Sequence, residues 1–262
     1  MIGNLAAAVT GGGAPAFNPA SIANLKAWYD ASDTATITVS GTAVTQWNDK
    51  SGNAYNVTQG TAGQRPVSGT RTQNGKNMID FQSDDVLQAA TASDWTFMSN
   101  STGCTAFVAA FYDTDSNSRV LIDTSGFLSA NIGLACYAAG DDNLSGLVAR
   151  GASGTFVSLI ETLGALTDNT AKYFSVKFDN ANATAANRVL ARINGGSQTG
   201  ANTYSGAASS SAPNHALYIG AYNTSGSFGF NGGICEIIIY SGLLSDADIL
   251  KVNNYLAAKW AI

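Results

Sequence analysis

Cleavage of a glycosidic bond commonly uses two carboxylates flanking that bond, about 5–5.5 Å apart where configuration is retained. The sequence holds two glutamates, Glu161 and Glu236, far apart and on different expected strands. No Glu-x-Asp-x-Glu run brings a second acid beside either one. Asp84-Asp85 and Asp141-Asp142 are sequence neighbours. Neighbours on a strand point to opposite faces, and in a turn both are solvated. Glu236 interrupts the apolar run Ile234 to Tyr240 and is expected to alternate toward solvent. A Ser-His-Asp site would need His215, the single histidine. There is no Gly-x-Ser-x-Gly elbow, and Ser209 to Ser211 fall in a polar loop. One histidine without a Cys-x-x-Cys pair gives no zinc signature. The Gly-rich stretches match neither a Walker motif nor a dinucleotide fingerprint. The chain therefore reads as non-enzymatic, with no catalytic residue, metal or cofactor assigned.

Two binding chemistries need weighing. Asp113-Thr114-Asp115-Ser116-Asn117 alternates oxygen ligands like the start of an EF-hand loop. Ser118 at position six and Thr124 at position twelve break that pattern, leaving a polar turn or a looser calcium loop. Sugar binding would use aromatic rings stacked on sugar faces, with Asn, Asp and Gly nearby for hydroxyls. Tyr137, Tyr204 and Tyr222 are the candidates, because polar loop residues flank each of them. Cys104, Cys136 and Cys235 are odd in number and widely spaced, so they read as buried thiols without a disulfide framework.

The elements that would position these residues are mostly strands. Of 262 residues, 45% are apolar and only 12% charged, with 28 Gly, so Ser, Thr, Asn, Gln and Gly must build the surface. That mixture favours strands and turns over helices. In Lys172 to Phe178, Phe174, Val176 and Phe178 share one face, the period of two of a half-buried strand. Further strands are expected at Cys104 to Tyr112, Arg119 to Asp123, Thr155 to Ile160, Ala216 to Tyr222 and Ile234 to Tyr240. Arg188 to Ile193 leads into Asn194-Gly195, a dipeptide favoured in two-residue hairpin turns. Many short strands separated by polar turns predict an all-β, two-sheet antiparallel sandwich. One helix closes the chain. Ser245-Asp246-Ala247-Asp248 resembles a capping box, and Ile249, Val252, Leu256 and Trp260 follow at helical spacing. It is expected to pack on the sandwich as architecture alone.

Two segments carry a family resemblance. One is LKAWYDASD (Leu25 to Asp33), followed by VTQWNDKSGNAYNVTQ (Val44 to Gln59) and Arg65-Pro66. The other runs from Leu217 to Trp260, with its Phe-Asn-Gly-Gly turn at Phe230 to Gly233 and its Ile-x-Glu-Ile strand. Together they resemble the laminin-G-like jelly-roll domains of the concanavalin A-like lectin/glucanase superfamily. The resemblance covers roughly residues 20 to 262 and implies a jelly-roll sandwich for 18–262. Trp47 to Asn53 also resembles bacteriophage structural proteins that carry this domain. Trp28 and Trp47 are expected in or beside the core. Asp49, Ser51 and Gly52 form a side-chain-stapled turn, and Gly232-Gly233 a tight reversal before a buried strand.

Residues 1–17, Ala- and Gly-rich, read as a docking arm that buries Ile2, Leu5, Val9 and Phe17 against a capsid or tail protein. The resulting expectation is a bacteriophage virion protein, a head decoration or tail or fibre component. It would assemble as a trimer or with particle symmetry and expose a lectin-like sandwich to host glycans. The alternative is a carbohydrate-binding module of a bacterial surface protein. No basic n-region or h-region opens the sequence, so synthesis in a host cytoplasm is expected. A formal net charge of -5 without Lys/Arg clusters excludes a nucleic-acid footprint. No apolar run approaches the ~20 residues of a membrane span.

Overall fold

The computed structural model describes residues 17–82, 84–113, 119–127, 130–139, 143–151, 155–160, 166, 169–200, 204 and 206–262. Sixteen strands lie among them. The first sheet contains β1 (Leu25–Asp30), β5 (Val67–Gln73), β6 (Lys76–Phe81), β8 (Cys104–Tyr112), β13 (Thr170–Phe178), β14 (Val189–Ile193) and β16 (Gly232–Ser241). Its order is β5-β6-β16-β8-β13-β14, and β1 shares one edge of β16 with β6. The second sheet contains β2 (Ile37–Ser40), β3 (Ala43–Trp47), β4 (Val57–Thr58), β7 (Leu87–Gln88), β9 (Arg119–Asp123), β10 (Ile132–Ala138), β11 (Leu144–Arg150), β12 (Phe156–Ile160) and β15 (Tyr218–Ile219). Its order is β12-β11-β10-β9-β15-β7-β4-β3, with β2 on β3. The Ala43–Val67 pairing joins β3 to β5, so the antiparallel sandwich is nearly closed.

Alternation within the strands divides the apolar side chains between two layers. Trp47, Phe81, Leu121, Leu134, Phe174, Phe178, Ile237 and Ile239 fill the space between the sheets. On the far side of the first sheet, Trp28, Phe107, Ile238 and Tyr240 meet Ile249, Val252, Leu256 and Trp260 of α1 (Asp246–Trp260). Ser245 caps this helix, its hydroxyl accepting from the Asp248 N–H at 3.2 Å. Among the described residues no helix is long and apolar enough to cross a membrane.

Two expected strands have the observed bounds, Cys104–Tyr112 and Arg119–Asp123. The expected Ala216 to Tyr222 strand shortens to Tyr218–Ile219, because Gly220 takes φ +91° with the Phe81 ring where a Cβ would lie. Asn194 and Gly195 both adopt positive φ and turn the chain back, and among the described residues the return pairs through an Ala191–Thr199 bridge. Gly232 and Gly233 are not a reversal. They are the first residues of β16, where the Phe111 carbonyl excludes a side chain at Gly232. The three cysteines are free and buried. Trp47 is fully buried and Trp28 is 9% exposed. The Asp49 carboxylate accepts from the N–H groups of Trp28, Ser51 and Tyr55, which fixes the expected turn.

Glu236 corrects the sequence reading. A bulge sets Ile234 opposite Ala110 and Glu236 opposite Ala109, with Cys235 as the extra residue. Glu236 therefore points away from the intersheet core, as alternation required, but α1 roofs that face and leaves the residue 0% exposed. Its Oε1 accepts from Trp28 Nε1 at 2.6 Å and Tyr255 OH at 2.8 Å. Its Oε2 accepts from Lys259 Nζ and Trp260 Nε1, both at 2.8 Å. Lys259 also reaches Asp30 at 2.6 Å, and Lys50 pairs with both Asp30 and Asp33 at 2.8 Å. Burial raises the Glu236 pKa, while Lys259 works against that rise. Burial also acts to raise Asp30, but Lys259 and Lys50 outweigh it and leave that carboxyl below its ordinary value. The helix thus carries an electrostatic role that its sequence did not announce.

Candidate glycan-binding face

The outer face of the second sheet carries a further apolar layer, whose strand residues are 0–5% exposed beneath the rings that cover them. Alternation on β9, β10 and β11 turns Val120, Ala135, Tyr137, Leu147 and Ala149 outward as one cluster. Phe127, Phe156, Leu159 and Tyr222 pack against it, each partly buried. Two loops supply the covering rings, and their sequences are alike. One reads Asp123-Thr124-Ser125-Gly126-Phe127, the other Asn223-Thr224-Ser225-Gly226-Ser227-Phe228.

In the first loop Asp123 is fully buried. Its Oδ1 accepts from the N–H groups of Ser125 at 2.7 Å and Gly126 at 2.5 Å. Its Oδ2 accepts from the Ser125 hydroxyl at 3.1 Å and the Phe127 N–H at 3.3 Å. Gly126 has φ +67°, and a Cβ there would come within 3.1 Å of His215 Nε2. In the second loop Asn223 Oδ1 accepts from the N–H groups of Ser225 at 2.9 Å and Ser227 at 3.1 Å. Gly226, at φ +74°, lies against the Asp84 backbone, where any side chain would collide. Each loop ends on a phenylalanine in the left-handed region, φ +56° at Phe127 and φ +51° at Phe228. Such a conformation is uncommon for a bulky residue and must be held by its surroundings.

These two turns gather four rings. Phe127 and Phe228 stack at 5.7 Å with 27° between planes. Tyr222 lies 5.5 Å from Phe228 and 6.4 Å from Phe127. Tyr137 meets Phe127 edge-on at 4.5 Å. Phe228 is 48% exposed, whereas Tyr137 is 5% exposed. Tyr137, expected as a sugar-stacking ring, is therefore a support beneath the surface, and Phe228 takes the outer position. Tyr204, 36% exposed, sits apart from this group and packs on Phe156 at 5.1 Å. Sequence reasoning missed Phe127 and Phe228. The signal available was the pair of Asx-Thr-Ser-Gly turns, each running into an aromatic residue.

The acidic groups do not assemble a hydrolytic site among the described residues. Burial pushes Asp123 up to about 7, against the pull of its backbone donors, and its oxygens are occupied within its own loop. The Ser125 hydroxyl donates to Asp123, and the His215 ring packs on Tyr218 at 5.5 Å. Asp84 is exposed, while Asp85 is buried, accepts from the Gln82 N–H at 2.7 Å and is pushed up to about 6 by burial. Of the calcium-type loop only Asp113 is described, and its carboxylate pairs with Arg71 at 2.8 Å. Glu161 and Asp141-Asp142 lie outside the described residues. No group of three or more His, Cys, Asp or Glu suited to a metal occurs among those described.

Of the four expected docking residues, Ile2, Leu5 and Val9 lie outside the described residues. Phe17 packs against the chain's own helix, its ring 5.7 Å from Tyr255, beside an apolar groove that Lys251, Asn254 and Ala258 also line.

No protein-family model and no curated protein sequence matches the chain. Solved structures do. A Trypanosoma rangeli sialidase in complex with 2,3-difluorosialic acid superposes with a TM-score of 0.57 at 11% identity. That match covers 91% of this chain and 33% of the sialidase. Ruminococcus gnavus IT-sialidase CBM40 bound to α2,3 sialyllactose gives 0.51 at 14% identity, covering 67% of this chain and 95% of the module. The binding domain of botulinum neurotoxin DC in complex with SialylT gives 0.51 at 10% identity, covering 91% and 52%. At these identities the likeness establishes the fold, a lectin-like β-sandwich.

Proposed function

We propose that this chain is a non-enzymatic glycan-binding module whose ligand lies on the rings of Phe228, Tyr222 and Phe127. The observation that carries the reading is the pair of matched turns that force two phenylalanines into left-handed backbone on one face. Aromatic faces present large apolar area at low cost in conformational entropy, and sugar rings offer complementary C–H faces. Asn223, Ser225 and Ser227 stand beside the rings and supply polar groups for hydroxyls. Support also comes from the neighbours: the R. gnavus module is bound to α2,3 sialyllactose, and the neurotoxin binding domain is in complex with SialylT. They favour the carbohydrate-binding alternative over a virion role, and nothing in them points to a bacteriophage particle.

The test is retention of the full chain on a panel of immobilised sialylated and unsialylated glycans. Saturable binding that Phe228→Ala weakens by roughly tenfold, about 1.4 kcal/mol, is expected. Binding that survives Phe228→Ala and Tyr222→Ala together would move the site elsewhere.

A further inference from the structure

A second cleft opens at the opposite part of the second sheet, between the Asp49-stapled loop and the segment following β7. It encloses about 250 Å³ and is lined by Asn53, Ala54, Tyr55, Asn56, Thr91 and Asp94, with Ala89 and Ala90 at its back. The share of liquid volume held by one water is about 30 Å³, so the space holds about eight waters, on the scale of one sugar ring.

Its walls are built. Asp49 fixes the Tyr55 N–H at 3.1 Å and donates its own N–H to Asn56 Oδ1 at 3.0 Å. Ala54 is held at φ +60°, a strained setting for a residue with a Cβ. Tyr55 is braced by Trp95 at 5.5 Å and by the Lys26 ammonium, 4.2 Å above its ring. Lys26 also donates to the Tyr55 hydroxyl at 2.6 Å, which leaves the phenol hydrogen for another acceptor.

The polar capacity left over is what identifies a ligand. Asn53 spends its amide N–H groups on Leu25 O, Lys26 O and Ser51 Oγ, so its Oδ1 remains an acceptor. Asn56 spends its Oδ1 on Asp49, so its Nδ2 remains a donor. Asp94 lines the same space as an acceptor without a hydrogen bond or ion pair among the described residues. Two acceptors and two donors around a ring-sized space match vicinal hydroxyls, each of which both donates and accepts. Among the described residues lining the cleft, Asp94 is the one acidic or basic side chain, which disfavours an acidic sugar. We propose that this cleft binds one neutral pyranose unit, independently of the aromatic face.

The experiment is a titration of the ¹⁵N-labelled full chain with the methyl glycosides of glucose, galactose and mannose, and in parallel with N-acetylneuraminic acid. Saturable shifts at the amides of Asn53 to Asn56 and Thr91 to Asp94 are expected with at least one neutral glycoside in the millimolar range. In Asp94→Ala the affinity should fall by tenfold or more while the thermal midpoint stays, since Asp94 has no hydrogen bond or ion pair among the described residues to lose. The inference is overturned by silence of these amides toward all three glycosides, by unchanged binding in Asp94→Ala, or by stronger binding of the acidic sugar. Shifts confined to Phe127, Tyr222 and Phe228 overturn the cleft and support the aromatic face. Shifts confined to the cleft do the reverse.

Discussion

A carboxylate removed from water must find donors or a cation, or hold its proton. Asp123 and Glu236 answer that demand differently. Asp123 has only neutral donors, and burial lifts its pKa to about 7. The ordinary aspartate value is near 3.9, so between pH 4 and 7 the folded chain holds a proton that the unfolded chain has released. Its contribution to stability is full below pH 4 and is lost as pH rises to 7. Urea unfolding of Asp123→Asn at pH 4.5 and 8 tests this. Wild-type stability should fall relative to the variant by about 3 kcal/mol over that interval. A difference independent of pH would mean that Asp123 is ionised throughout. Glu236 instead answers with a cation and three neutral donors. Glu236→Gln removes one of the two carboxylates that hold Lys259, leaving Asp30, and turns an amide N–H₂ toward buried N–H donors. A loss of about 3–5 kcal/mol is expected, read as a lower urea midpoint at constant m-value. A loss under about 1 kcal/mol would show that the ion pair adds little.

At the scale of elements, α1 is both a lid and a strap. Its apolar stripe covers the first sheet, and Tyr255, Lys259 and Trp260 hold Glu236 from the same helix. Ser245→Ala removes the cap and should cost about 1 kcal/mol, a drop of about 2–4 °C in Tm. An unchanged Tm would mean that packing alone sets the helix start. Much of this layer was legible. The polar turn between them gave the bounds of β8 and β9, and the capping pattern gave the start of α1. What escaped was non-local. The bulge at Cys235 depends on how β16 meets β8, and the burial of Glu236 depends on a helix folded over it. Tyr137 was picked out by its polar flanks, but neither its strand β10 nor its cover by Phe127 from the preceding connection was foreseen. The matched turns were readable in the letters Asp-Thr-Ser-Gly and Asn-Thr-Ser-Gly. Only the fold shows that both deliver their rings to one place.

For the whole molecule, the two sheets are used unequally. The first sheet's outer face is sealed by α1, while the second sheet's outer face ends in an aromatic group with a 48% exposed phenylalanine at its crest. An exposed ring raised on a buried apolar layer fits the proposed binding role. On this reading the exposed rings take a sugar. Equilibrium titration calorimetry of the full chain with α2,3 sialyllactose and with lactose, for wild type and for Tyr222→Ala/Phe228→Ala, tests it most directly, with thermal unfolding as the control for fold. Saturable heat is expected for wild type with at least one of the two sugars. In the double variant, at a Tm close to wild type, only the weak millimolar heat of the separate cleft should remain. Equal binding by a well-folded double variant, or no binding of either sugar by wild type, would contradict the reading.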